Sequence, residues 1–138
     1  MKSTFLTIAG IFGATGVALG ALGAHFLKEK MKLGLIDPDM YSGFETAAKY
    51  QLFHALALLA VYVLNKDKNL KLLTWTGRLF TIGVILFSGS LYLLCTRSLT
   101  GLDSLRFLGP VTPIGGLALI GGWICIVIHS IKSGRNLN

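Results

Sequence analysis

Charge is scarce in this chain. Charged residues make up 14% of its 138 residues, against about 25% in an ordinary soluble domain. That is too little polar surface to cover a water-exposed sphere of this size, which excludes a cytosolic enzyme and a disordered tail. Cysteine is scarce as well: 2 Cys cannot build a secreted disulfide scaffold. The catalytic and cofactor signatures are missing too. There is no P-loop, HExxH, GxSxG or CxxC, and Gly115-Gly116 with Gly121-Gly122 follows no strand, so it is not a dinucleotide fingerprint. Three His at three depths lack zinc-ligand spacing. The sequence therefore predicts no metal and no cofactor and names no reaction, so a non-enzymatic role is the expectation.

Apolar surface is abundant instead. The hydrophobic fraction is 53% and the mean hydropathy +0.68. The net charge of +7 does not indicate nucleic acid, because the basic residues mostly flank apolar runs, where they act on membrane orientation. Membrane lipids are the expected partner.

A transmembrane helix needs about 20 mainly apolar residues to cross about 30 Å of hydrocarbon. Four runs qualify: 4–27, 44–64, 72–96 and 107–131. They predict an all-α membrane protein, a four-transmembrane-helix up-and-down bundle forming a single domain over 1–138. The first run, with Lys2 before it and small residues near its end, also resembles a secretory signal, but it is long for one. Asp37-Pro38-Asp39 reads as an N-cap, a first-position proline and a first-turn acid, which starts the second helix near 38; Ser42 with Glu45 is a rival capping box. Pro110 suits a helix start, whereas Pro113 is expected to kink the fourth helix or free a carbonyl. With both termini inside, about six basic residues (Lys2, Lys66, Lys68, Lys71, Lys132, Arg135) face about five (Lys28, Lys30, Lys32, Arg97, Arg106) on the positive-inside count. That narrow margin places the N- and C-termini in the cytoplasm.

Gly13, Gly16, Gly20 and Gly23, with Gly10, fall at spacings of three and four on the first helix, and Gly16 to Gly20 is a GxxxG. Gly115 and Gly122, with Ala118, make a similar face on the fourth. Such faces let backbones approach closely, either within one chain or between subunits of a homo-oligomer.

Polar groups at membrane depth are the candidate functional residues. His54 lies about 15 Å along the second helix from Phe44, and Ser88 and Ser90 lie about 9–12 Å from the outer end of the third. Gln51, His54, Ser88, Ser90, Tyr92 and Thr112 are expected to converge on one polar layer, with serine hydroxyls satisfying the imidazole. It is either a structural hydrogen-bond network or a ligand or proton site. A second candidate cluster, His25, Glu45, Thr46 and Lys49, belongs to the outer surface, where a carboxylate beside His25 favours its protonated form. Glu45 and Lys49 are spaced as an i,i+4 ion pair. Arg78 is set about 10 Å inward from Lys71 and is expected to snorkel. Cys95 and Cys125 fall near opposite ends of their helices, beyond disulfide reach.

Four motifs in register carry a family resemblance. They are Gly20-Ala21-Leu22-Gly23-Ala24-His25; Phe44-Glu45-Thr46 through Lys49-Tyr50-Gln51 to His54; Leu86-Phe87-Ser88-Gly89-Ser90-Leu91-Tyr92; and Pro113-Ile114-Gly115-Gly116 through Gly122-Trp123. Together they resemble the domain-of-unknown-function four-two-three family of small membrane proteins, which has bacterial members and a related eukaryotic transmembrane protein. The resemblance covers nearly the whole chain and is weakest over Lys28 to Met40. It implies a four-span protein of the bacterial cell membrane and no activity.

Three functions remain open on these residues. The first is a non-enzymatic structural, regulatory or permeation bundle. The second is a membrane-embedded ligand-binding or proton-relay protein using the layer around His54. The third, weaker reading is an anionic-lipid binder using Lys66, Lys68 and Lys71.

Overall fold

The structure is a computed structural model that describes residues 2–65 and 70–135, so Lys66 and Lys68 of the basic cluster lie outside the described residues. Among the described residues, four helices are long and apolar enough to cross a membrane. The first comprises α1 (Lys2–Leu22), a π-helical turn (Gly23–Leu27) and α2 (Lys28–Lys32). Then come α3 (Pro38–Asn65), α4 (Lys71–Thr100), a 3-10 segment (Asp103–Leu108) and α5 (Val111–Arg135).

The helix ends follow from their residues. α3 begins at Pro38, whose fixed φ suits a first position, and the Tyr41 N–H donates to the Asp37 carbonyl at 3.1 Å. Ser42 and Glu45 therefore sit inside the helix. α4 runs past Arg97 to Thr100 and stops at Gly101, whose φ of 69° is the left-handed conformation that glycine adopts without strain. α5 starts at Val111, later than the apolar run that opens at 107, because Phe107 belongs to the 3-10 segment. Pro113 produces no lost bond: it is the third residue of α5, within the first turn, where N–H groups have no intrahelical partner in any case.

Neighbours in sequence pack as neighbours in space. α1 lies on α3, α3 on α4, and α4 on α5. The two middle helices are the most enclosed, with 39% and 33% of their most apolar windows buried, against 11% and 17% for the first and last. One apolar cluster joins Ala9, Leu58, Val61, Leu73, Phe80, Val84 and Leu119, and a second joins Leu27, Ile36, Phe44 and Cys95.

The packed face of the first membrane helix is Ala9, Gly16 and Gly23, seven residues apart, with half-buried Phe12 and Leu19 between them and Phe5 one turn before. This is the 3.5-residue seam of left-handed helix pairs. The expected glycine stripe is divided by it. A methyl on Gly16 meets Leu52 Cδ2 at 2.9 Å and one on Gly23 meets Phe44 Cδ1 at 3.1 Å, while Gly10, Gly13 and Gly20 have nothing within 4 Å. Gly115 and Gly122 both touch α4: a methyl on Gly115 strikes the Phe87 backbone nitrogen, and one on Gly122 meets Phe80 Cε1 at 2.5 Å. Three further glycines have the same use without belonging to either expected face. Gly43 backs on Cys95 Sγ, Gly77 on the Phe5 ring and Gly83 on Leu119.

Candidate functional site

The polar residues of the middle helices resolve into separate clasps, each tying a different set of helices. Gln51 on α3 is 4% exposed. Its Nε2 donates to the Phe12 carbonyl at 2.9 Å and to Thr15 Oγ1 at 2.7 Å, both on α1. Its Oε1 accepts from the Tyr92 hydroxyl on α4 at 2.9 Å. One amide thus fastens three helices. Thr15 passes its own proton to the Ile11 carbonyl at 2.7 Å, which leaves its lone pairs for Gln51.

His54, one turn deeper and 5% exposed, makes a different clasp. Its Nδ1 lies 2.7 Å from the Tyr50 carbonyl oxygen. A carbonyl only accepts, so Nδ1 carries the proton and Nε2 is left as an acceptor. Nε2 takes the Trp123 indole N–H from α5 at 3.2 Å. The neutral tautomer is therefore satisfied at both nitrogens. Phe80 sits edge-on to the imidazole at 5.1 Å, and Trp123 closes the cage at 6.0 Å. The partner of His54 is Trp123, not the expected serine hydroxyls. Each serine is engaged elsewhere: Ser88 donates to the Ala47 carbonyl at 2.9 Å, and Ser90 pairs with Thr112 at 2.7 Å. Ser88 joins α4 to α3, and Ser90 joins α4 to α5.

Gln51 with Tyr92, and Ser90 with Thr112, are therefore brought together. His54 shares no hydrogen bond with any of them among the described residues. No buried side-chain nitrogen or oxygen among the described residues lacks a partner. Four surface grooves among the described residues lie elsewhere, and none of them is lined by Gln51, His54, Ser88, Ser90, Tyr92 or Thr112.

The outer cluster is not assembled as one site. His25 is exposed on the π-helical turn and lines a shallow depression with Lys28, Glu29 and Lys32. Glu45 and Lys49 line a different cleft, of about 140 Å³, beside Gly20 and Gly23. Glu45 accepts from the Tyr41 hydroxyl one turn earlier at 3.1 Å. Thr46 is half-buried between them in sequence. Cys95 is buried, Cys125 half-buried, and both are free thiols.

Two residues of the clasps were not foreseen. Thr15 is the one hydroxyl in the second half of α1, next to the glycine that backs on Gln51 and Leu52; its place beside Gly16 in the GxxxG is a readable signal. Trp123 has none, since 69 residues separate it from His54. Asn65 is a third unforeseen polar link: its Oδ1 accepts from the Leu70 N–H at 2.6 Å and its Nδ2 donates to Thr74 at 3.1 Å, pinning the end of α3 to the start of α4.

The family model described as "Protein of unknown function (DUF423)" matches residues 19–116. The membrane protein YwdK of Bacillus subtilis is 36% identical over 130 residues, covering 93% of this chain and 96% of the relative. A membrane protein of the fission yeast Schizosaccharomyces pombe is 38% identical over 128 residues, covering 91% and 99%. The inner membrane protein YgdD of Escherichia coli is 36% identical over 136 residues, covering 98% and 95%. No solved structure matches. With four membrane-length helices and relatives named as membrane proteins over nearly their full length, the chain is a multi-pass membrane protein that belongs to the DUF423 family.

Proposed function

We propose that the chain is a non-enzymatic structural or regulatory bundle of a bacterial plasma membrane, with both termini in the cytoplasm, and that its polar layer fastens helices rather than binding a ligand. The observation that carries this reading is the completeness of the clasps. Gln51 and His54 spend their polar atoms on α1, α4 and α5, and the buried polar side-chain atoms of the described residues all have partners. A relay needs a continuous chain of donors and acceptors, whereas here the Gln51 and His54 sets are separate. The inner-membrane name of the Escherichia coli relative supports the location. Lipid is the surrounding partner, and the open backbone at Gly10, Gly13 and Gly20 supports contact with a second copy.

The test compares abundance with phenotype. Gln51→Leu and His54→Phe are introduced into the chromosomal copy, and membrane abundance is read beside any phenotype of a deletion strain. A fastener predicts that phenotype falls only as far as abundance falls. A variant present at normal abundance with the deletion phenotype overturns the reading and makes the layer a site.

A further inference from the structure

Arg78 is a charged, exposed residue seven positions into α4 that takes no part in the clasps. α4 is 30 residues long, about 45 Å at 1.5 Å per residue, while the hydrocarbon is about 30 Å thick. About 15 Å of the helix must lie outside the hydrocarbon, and Lys71, the exposed Trp75 and the exposed Arg78 make its first turns the end suited to the headgroup region. The guanidinium lies over the Trp75 ring at 5.2 Å, an exposed indole at the level where such rings collect. Among the described residues it has no carboxylate partner; the described acids belong to the opposite end of the bundle. A cation at this depth is costly without an anion.

Beside Arg78 runs a groove of about 230 Å³ between the start of α1 and the start of α4. Phe5 and Ile8 line it from α1, and Thr74, Arg78, Thr81 and Ile82 line it from α4. Both threonine hydroxyls already donate to backbone carbonyls one turn earlier, those of Leu70 and Gly77, at 3.2 and 2.8 Å, so the surface they offer is largely apolar. Pockets for compact small molecules hold roughly 300–1,000 Å³; this one suits a stretch of alkyl chain instead. An apolar channel whose one charged lining residue is Arg78 matches an amphiphile with an anionic head and a hydrocarbon tail.

We propose that this groove is a binding site for one anionic phospholipid, with its phosphate on the Arg78 guanidinium and an acyl chain lying between α1 and α4. Arginine offers forked donors to a phosphate, and stacking on Trp75 holds the fork in place. The site is independent of the clasps around Gln51 and His54.

The full chain, purified in a neutral detergent, is given an equal mixture of phosphatidylglycerol and phosphatidylcholine, and the retained lipid is read by native mass spectrometry. The expected result is one retained lipid, with phosphatidylglycerol favoured roughly fivefold, the value of one basic residue at a membrane surface. Arg78→Gln removes that preference and Arg78→Lys keeps most of it. Ile82→Trp, an exposed position that fills the groove, abolishes retention of either lipid while leaving the helical content and melting temperature unchanged. Excess inorganic phosphate does not displace the lipid, because the tail holds it. Undiminished preference in a folded Arg78→Gln variant, retention unchanged in Ile82→Trp, or displacement by phosphate alone each overturns the proposal.

Discussion

The seam between α4 and α5 and the seam between α1 and α3 are closed by different physics. On the first, Gly83, Gly115 and Gly122 bring the surfaces together until no methyl fits, and the nearest obstacle to Gly115 is the backbone of Phe87 itself. On the second, Gly16 and Gly23 meet only side chains, and Gln51 adds hydrogen bonds to Phe12 and Thr15. Lipid supplies no hydrophobic attraction between apolar helices, so contact area and hydrogen bonds must do so. The first seam depends on shape and has no slack. The second depends on direction, and its neighbours can give way.

That contrast sets the order of mutational effects. Gly115→Val forces a branched side chain into the α4 backbone and is expected to cost about 3 kcal/mol or more. Loss of α5 protection from proteolysis and a lower unfolding midpoint in mixed micelles check it. Gln51→Leu removes hydrogen bonds to Phe12, Thr15 and Tyr92. At an average of about 0.6 kcal/mol each in membranes, the loss is about 2 kcal/mol. The same unfolding assay should show α1, not α5, becoming protease-sensitive first. Two glycines on α1 differ in the same way. Gly20→Ala has open space and gains up to about 1 kcal/mol of helix propensity. Gly16→Ala must displace Leu52 and gains less or loses, so the two midpoints move apart. The smallest effect is Trp123→Phe, which keeps an aromatic wall on His54 but removes its donor, at about 0.6 kcal/mol. Imidazole nitrogen shifts read by NMR would report the lost bond even where the stability change is hard to resolve.

The spans were legible because apolar length has one meaning at this scale. Pro38 marked the start of α3 and the polar stretch at Asn65 its end, and four motifs carried the family. The partners of the polar residues were less legible. Depth along a helix gives the level of Ser88, Ser90 and His54, but the rotation of each helix decides who meets whom. That rotation depends on seams such as Ala9–Gly16–Gly23, whose sevenfold spacing was present in the chain but masked by Gly10, Gly13 and Gly20. Trp123, on the last helix, reaches His54 only because α4 holds α5 at glycine distance. A GxxxG pattern at Gly16 to Gly20 states that backbone is available. It does not state which of its glycines is used.

The central claim is that the polar layer joins helices, and its most direct test is a double-mutant cycle. Gln51→Leu, Tyr92→Phe and the double variant are unfolded reversibly in mixed micelles beside the wild type. The clasp predicts coupling of about 0.6 kcal/mol, up to about 1.7, with the double variant less destabilised than the sum of the singles. Strict additivity, with Gln51→Leu as stable as the wild type, would contradict it.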